Sequence, residues 1–383
     1  MKTFLQSFSA LIALASLIHA AEPVWLSDQP VPKAAELSEL KGVQFHVIKA
    51  IEPKQDDYKW LHGVALAWHK GKLFASFGHN KGAENTIGEE ARGRVSSDGG
   101  KTWGEVFAIA TPDEPNLGIS HGVFLSRGGE LWAFHGAFYG NKLMDIANSK
   151  VHTRAYRLNE TTGKWESHGT VIEGGFWPMQ EPLKMADGNW IMSGLRVGGG
   201  HPGAVAISHG DDLTKWDLVA IPKGAKVNMW GESTVIVDGK RVQNVARNQS
   251  ERPALTAVSE DYGRTWTESL PNNLPMVQSK PYTGTLSTGQ RYLICTTTAE
   301  MADPTAKHRR DPLTIAVGRP GENGFRKIFR IRDAVWSASP GRSHPAASLS
   351  YPYAVEHDGH LYVGFTNSGA ELALIPVNAL SVE

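Results

Sequence analysis

Short apolar runs recur along this chain in pairs, each pair joined by a turn that contains glycine. The first pair is His62-Gly-Val-Ala-Leu-Ala-Trp and Leu73-Phe-Ala-Ser-Phe around Gly71, and the second is His121-Gly-Val-Phe-Leu and Leu131-Trp-Ala-Phe around Gly129. Four further copies open at Glu181-Pro-Leu-Lys-Met, Glu232-Ser-Thr-Val-Ile-Val, Thr283-Gly-Thr-Leu and Tyr351-Pro-Tyr-Ala-Val, with turns at Asp187-Gly188, Asp238-Gly239, Gly289 and Asp358-Gly359. Runs this short, bounded by glycine, read as strands of hairpins. Successive copies start roughly 50 to 70 residues apart, which is too long for a helical repeat and fits a four-stranded blade with its loops. The pattern therefore predicts an all-β chain, a six-bladed β-propeller of four-stranded antiparallel blades. A propeller closes by pairing its chain ends in one blade, which removes exposed edges. Val43 to Ile48 and Leu372 to Val377 are the segments expected to do so.

A second pattern falls between the hairpins. Ser96-Ser-Asp-Gly-Gly-Lys-Thr-Trp103 and Ser259-Glu-Asp-Tyr-Gly-Arg-Thr-Trp266 share Ser-x-Asp-x-Gly-x-Thr-Trp, with weaker echoes at Ser208 to Trp216 and Leu158 to Trp165. Asp caps a tight turn through its own backbone, Gly accepts the φ that other residues resist, and Trp fills the gap between outer strands. Asp98 and Asp261 are thus expected to be structural. The 40 Gly, 21 Pro and 12 Trp suit many turns and short strands, and no linker divides the chain.

The two ends of the composition narrow the setting. Residues 1–20 read as a secretory signal peptide, with Lys2, the apolar run Leu11 to Ile18 and a small residue, Ala20, before the cleavage point. That run falls short of a membrane span, so 21–383 is expected to be one exported domain, secreted or periplasmic. Its single cysteine, Cys295, excludes an internal disulfide framework and reads as a buried strand residue. Lys plus Arg and Asp plus Glu both total 39, and no run of one sign occurs, which disfavours nucleic acid and anionic membranes as partners. The chain is expected to act as a monomer, without a cofactor.

In a propeller the innermost strands run along the central channel, so equivalent strand starts gather on one face. Here the starts carry His62, His121, Glu181 beside Gln180, Glu232, Lys280, Tyr282 and Tyr351, and the far ends of the second strands add His79, His135, Arg196, Arg247 and Asn367. A ring of this chemistry points to a functional face. His62, His79, His121 and His135 would make a zinc site only if two blades aimed them at one point, and no short His or Cys pair supports one; no metal is assigned.

The Ser-x-Asp-x-Gly-x-Thr-Trp repeats are the Asp-boxes of the sialidase (neuraminidase) superfamily, which the chain resembles along nearly all of its length after residue 20. The resemblance implies roles. Glu232-Ser-Thr-Val-Ile-Val looks like the segment with the helper glutamate, followed by Arg247 of the carboxylate-binding arginines. Arg309-Arg-Asp-Pro-Leu looks like the segment with the last arginine, best matched by Arg310. Ser350-Tyr-Pro-Tyr matches the nucleophilic tyrosine at Tyr351, and Glu90 falls where the family places its acid/base residue. A sialic acid carries a carboxylate on its anomeric carbon, so a tyrosine paired with a glutamate attacks where a carboxylate nucleophile would be repelled, and arginines hold the carboxylate in bidentate pairs. The family opens its first blade with Phe-Arg-Ile-Pro; this chain has Trp60-Leu-His-Gly there, with His62 in the arginine's place.

Three functions stay open. The first is a sialidase-like exo-glycosidase for a terminal acidic sugar, using Tyr351, Glu232, Glu90, Arg247 and Arg310. The second is a lyase or histidine-dependent hydrolase of uronic-acid polysaccharides, with His62, His121 and Tyr351 moving protons and Arg196 or Arg247 holding the acid group. The third is a glycan-binding propeller that stacks sugars on Trp60, Phe176, Trp177 and Trp230. An acidic glycan or polysaccharide is the expected partner in each, with His79, His135, Glu181, Trp177 and Lys280 as further contacts. Selectivity is expected from the loops Gly136 to Asn148 and Arg196 to Pro202.

Overall fold

The computed structural model describes residues 21–140, 150–249, 252–303, 309–335 and 348–382. Residues 1–20, read above as a signal peptide, lie outside the described residues, as does most of the Gly136 to Asn148 loop. Among the described residues, no helix is long and apolar enough to cross a membrane.

Six antiparallel sheets surround one axis as a six-bladed propeller. Their inner strands are Trp60–His69, Leu117–Arg127, the pair Phe176–Pro178 and Leu183–Lys184, Met229–Asp238, Tyr282–Thr285 and Ser350–His357, for blades one to six in that order. Inner strands pack on their neighbours around the ring, blade one on blade six included, except that blade three meets the inner strand of blade four through its second strand, Trp190–Arg196. Each blade therefore has a neighbour on both faces. This is why Val64, Ala65, Leu66 and Ala67 are all buried in one run, where a sheet with one wet face would alternate.

The hairpins form where the sequence supplies the turn. Lys70-Gly71, Gly128-Gly129 and Asp358-Gly359 each place both central residues at positive φ, the turn whose twist matches that of the paired strands. Ring closure follows the expected route: Gln44–Ala50 adds antiparallel to Gly369–Pro376 as the outermost strand of blade six. Ser38–Glu39 adds a short parallel strand to the outer edge of blade five.

Both Asp-boxes are built alike. Asp98 accepts from Ser96 Oγ at 2.7 Å, from the Thr102 backbone at 2.9 Å and from Thr102 Oγ1 at 2.6 Å, while Trp103 Nε1 donates to Gly100 O at 3.1 Å. Gly100 has φ 86°, and a Cβ there would lie 2.4 Å from Leu372 Cδ2, so the box also docks blade one on the closing blade. Asp261 and Trp266 repeat these bonds. The echo at Ser208 to Trp216 keeps the indole bond, from Trp216 Nε1 to Leu213 O at 2.7 Å.

Candidate active site

A cleft of 530 Å3 opens at one mouth of the channel. Its floor is made where inner strands leave regular pairing. Register shifts fall at His62/Ala65, Ile119/Gly122, Met229/Ser233 and Ser350/Tyr353, so blades one, two, four and six each carry a bulge at the same end. A bulge frees a residue from the ladder and re-aims its side chain. Two glycines let these segments come together. A Cβ on Gly63, which has φ 71°, would lie 2.2 Å from His121 Cγ, and one on Gly122 would lie 1.9 Å from Phe134 O. Tyr351 itself holds φ 53° directly before Pro352. For a tyrosine that conformation is strained, and such strain is held in place by its surroundings.

Tyr351, Glu232, Arg247, Arg310, His62, His121 and Trp177 all line this cleft. The Tyr351 hydroxyl donates to Glu232 Oε1, and Arg247 Nη1 donates to Glu232 Oε2 at 3.0 Å. Arg310 donates to Gln278 O at 3.1 Å, and its guanidinium lies 5.9 Å from the Tyr351 ring centre. His62 lies 3.9 Å from the Tyr351 ring and His121 5.5 Å from it, with the two imidazoles 6.0 Å apart. The Trp177 indole donates to His121 O at 3.1 Å and completes the wall.

Burial, then the Glu232 charge, hold the Tyr351 phenol well above its ordinary pKa, while Arg247 and Arg310 pull it down. At neutral pH it is a donor. Burial, followed by Arg310, Lys280 and Arg247, lowers His62 to about 3. Burial likewise keeps His121 well below the usual histidine range, with His62 and Lys280 adding to it. Both rings are therefore neutral at pH 7. The cleft pairs one shared negative charge with two arginines, which suits an anionic ligand.

Six other expected residues land elsewhere. Glu90 pairs in register with His79 and turns away from the cleft, accepting from Tyr58 Oη at 2.8 Å and facing Arg92 at 3.4 Å. His79 stacks on Tyr58 at 3.9 Å on that same side. His135 gives Nδ1 to Ser120 O at 2.8 Å, inside the blade. The four histidines thus do not converge. Arg196 bonds Gly174 O at 3.3 Å, outside the cleft. The inner strand of blade three begins at Phe176, five residues earlier than read from Glu181, so Trp177 and Met179 face the cleft. Glu181 opens instead on a cleft at the other end of the channel. Lys280 lies beneath the floor, on a small void it shares with Tyr351 and His121. Trp60 and Trp230 line the cleft, whereas Phe176 is fully buried.

Sequence reasoning missed Glu84. It stands on the loop after Lys72–Asn80 and lines the cleft from its exposed rim. Asn80 pins that loop, donating to Ala83 O at 2.9 Å and Thr86 O at 3.2 Å and accepting from Gly82 N at 2.7 Å. From beneath, Glu89 Oε2 accepts from Asn85 N at 3.0 Å. Desolvation of its carboxyl raises the Glu84 pKa, as does Glu232, against Arg310 and Arg247. The one signal in the sequence was a carboxylate in a turn-forming loop directly after a blade's second strand.

Glu89 itself is fully buried, and burial raises its carboxyl to about 8, against hydrogen bonds from Ser120 and Asn85. An unfolded glutamate titrates near about 4.3. The folded chain therefore binds the extra proton, and its stability falls as pH rises from that value through about 8. Glu89→Gln removes this titration. Its melting temperature is expected to exceed that of the wild type increasingly from pH 5 to pH 8. A difference between the two that stays constant with pH would show that Glu89 is ionised throughout.

Comparison with known proteins agrees with this architecture. The family described as BNR repeat-like domain matches residues 92–363. The Hadza microbial sialidase Hz136 superposes with a TM-score of 0.70 at 12% identity, over 88% of this chain and 69% of that one. The Trypanosoma rangeli sialidase in complex with the inhibitor DANA gives 0.60 at 15% identity, over 82% of this chain and 54% of that one. A protein of unknown function from Dyadobacter fermentans gives 0.64 at 16% identity, over 88% of this chain and 100% of that one. This chain therefore spans about half of the trypanosomal enzyme and the full length of the Dyadobacter protein. No curated protein matches its sequence. With the family matched across most of its described blades, the chain belongs to the BNR repeat-like family, on a six-bladed propeller of the sialidase type.

Proposed function

We propose that this protein is an exported glycoside hydrolase of sialidase type that removes a terminal acidic sugar. The observation that carries the reading is the Tyr351 hydroxyl bonded to Glu232 on the floor of an open cleft, with Arg247 and Arg310 beside it. Arg310 and Arg247 hold the sugar carboxylate. Tyr351 oxygen bonds to the anomeric carbon as its proton passes to Glu232, and the glycosidic C–O bond breaks. Glu84, lining the cleft with its carboxyl pKa raised by desolvation and by Glu232, protonates the leaving oxygen. Water then attacks the tyrosyl-sugar bond, giving a proton to Glu84 while Tyr351 takes its own back from Glu232. The neutral His62 supplies a flat wall where the wider superfamily has an arginine, so a single carboxylate is met by two cations.

Purified protein is expected to release aglycone from an aryl glycoside of sialic acid or of a uronic acid. If Glu84 is the acid, Glu84→Gln slows alkyl glycosides at least about tenfold more than aryl ones, since an activated leaving group needs no proton. Equal loss on both would remove Glu84 from that role. The meeting of His62, His121 and Tyr351 favours a second reading, a lyase of uronic-acid polysaccharide. Its burial-lowered histidines are poor proton acceptors at neutral pH. Ultraviolet absorbance from unsaturated uronate, without aglycone release and dependent on His62, would replace the first reading with this one.

A further inference from the structure

We propose that Lys280 is a positioning residue for Tyr351, a buried ammonium that binds the turn carrying the tyrosine and sets a fixed positive charge beneath the cleft floor. The inference rests on the reading of Tyr351 as the reacting group. Lys280 lies just before the inner strand of blade five, whereas the turn belongs to blade six, and its side chain is buried, at 4% exposure. Its Nζ donates to Pro352 O at 2.7 Å. The ladder of blade six passes from the Ser350↔Thr366 pair directly to Tyr353↔Gly364, so Pro352 O is left outside it. The lysine thus takes up the carbonyl that the bulge releases, one residue past a tyrosine at φ 53°.

A neutral donor would serve that carbonyl as well. A buried ammonium is costly unless opposite charges repay it. Here Glu232 above and Glu181 below are its leading favourable partners, against a burial that lowers its pKa to about 8. Glu181 is occupied by Tyr282 Oη, 2.8 Å from both of its oxygens. The Tyr282 and Tyr353 rings stand 5.3 and 5.8 Å from Nζ. The charge is therefore enclosed on the propeller axis with one face toward the Tyr351–Glu232 pair. Among the groups around that pair, Arg247 and Arg310 share its sign, His62 and His121 are neutral, and Glu84 lines the same cleft. Lys280 is among the causes that depress both histidines.

Lys280→Met keeps the volume and removes the charge. We expect a melting temperature equal to or above that of the wild type, since a buried charge is replaced by an apolar chain. We expect kcat to fall by about tenfold or more with KM nearly unchanged, because the loss acts on the reacting group. The acid limb of the pH–rate profile is expected to move to higher pH, as loss of a proton becomes harder without the cation. Imidazole NMR gives a readout free of turnover: the His62 resonance, assigned with His62→Ala, should titrate at higher pH in Lys280→Met. Lys280→Gln separates the two parts of the role, retaining a donor for Pro352 O without the charge. If Gln restores wild-type kcat and pH profile, the charge has no part and the proposal is overturned. An unmoved His62 titration in Lys280→Met overturns it equally, even where no substrate is turned over. A wild type without activity whose His62 still shifts would instead fault the reading of Tyr351.

Discussion

Tyr351→Phe is expected to lower kcat/KM by about 10³-fold or more while the propeller stays folded. The phenyl ring keeps its place against His62 at 3.9 Å and His121 at 5.5 Å, so the packing of the floor survives. Only the oxygen is lost. Glu232 retains its 3.0 Å bond from Arg247 and faces a cleft that admits water, which limits the stability cost to about 1 kcal/mol. Neither neighbouring histidine can take over, because burial makes both rings weak bases and nucleophiles. The check is kcat/KM on the acidic aryl glycoside that the wild type cleaves best, with thermal unfolding as the control. A variant that keeps a tenth of the activity would deny Tyr351 the nucleophile's part. If the wild type releases nothing and both proteins bind an acidic glycan equally, the chain is a binding propeller.

The blades were legible because their signals are local. A hairpin needs two apolar runs and a turn residue at positive φ, and Gly71, Gly129 and Gly359 sit where those turns are. The Asp-boxes, too, are closed by bonds within eight residues, so a short motif states them fully. Tyr351, Glu232, Arg247 and Arg310 were legible through resemblance, and the structure brings the four together. What the sequence could not show is direction. Glu90 and His79 have the composition of the site but lie on a strand pair that turns them to Tyr58, and one residue of register decides which face a side chain takes. The bulges that aim His62 and Tyr351 inward have no sequence signature beyond a glycine or a proline nearby. Glu181 failed for a related reason: blade three breaks its inner strand between Pro178 and Leu183, which moves the glutamate to the far mouth. Glu84 was invisible because its position depends on Asn80 and Glu89 folding the loop over the cleft.

The seam between blades five and six holds the second large effect. Arg332 is 0% exposed and Glu371 3%, and the guanidinium donates to Glu371 Oε2 while Asn367 Nδ2 donates to Oε1 at 3.0 Å. Burial lowers the Arg332 pKa against the pull of Glu371 and Asp311, so the charge is held by its partners in a place that disfavours it. Glu371→Ala removes the nearest counter-charge and leaves a guanidinium without access to water. The expected loss is about 3–5 kcal/mol in urea unfolding, where a surface pair would cost under about 1 kcal/mol. The strand that carries Glu371 also pairs with Gln44–Ala50, Val47 lying opposite Glu371, so the damage falls on the closure of the ring. Replacing both members, Arg332→Met with Glu371→Leu, is expected to recover most of that loss, since an apolar pair of similar volume needs no compensation. The double-mutant cycle of Arg332→Met, Glu371→Leu and the two together then yields a coupling of at least about 2 kcal/mol. A single variant within about 1 kcal/mol of the wild type would mean that Asp311 and the surrounding acceptors carry Arg332 alone, and that the propeller closes by its strand pairing and apolar contacts without this ion pair.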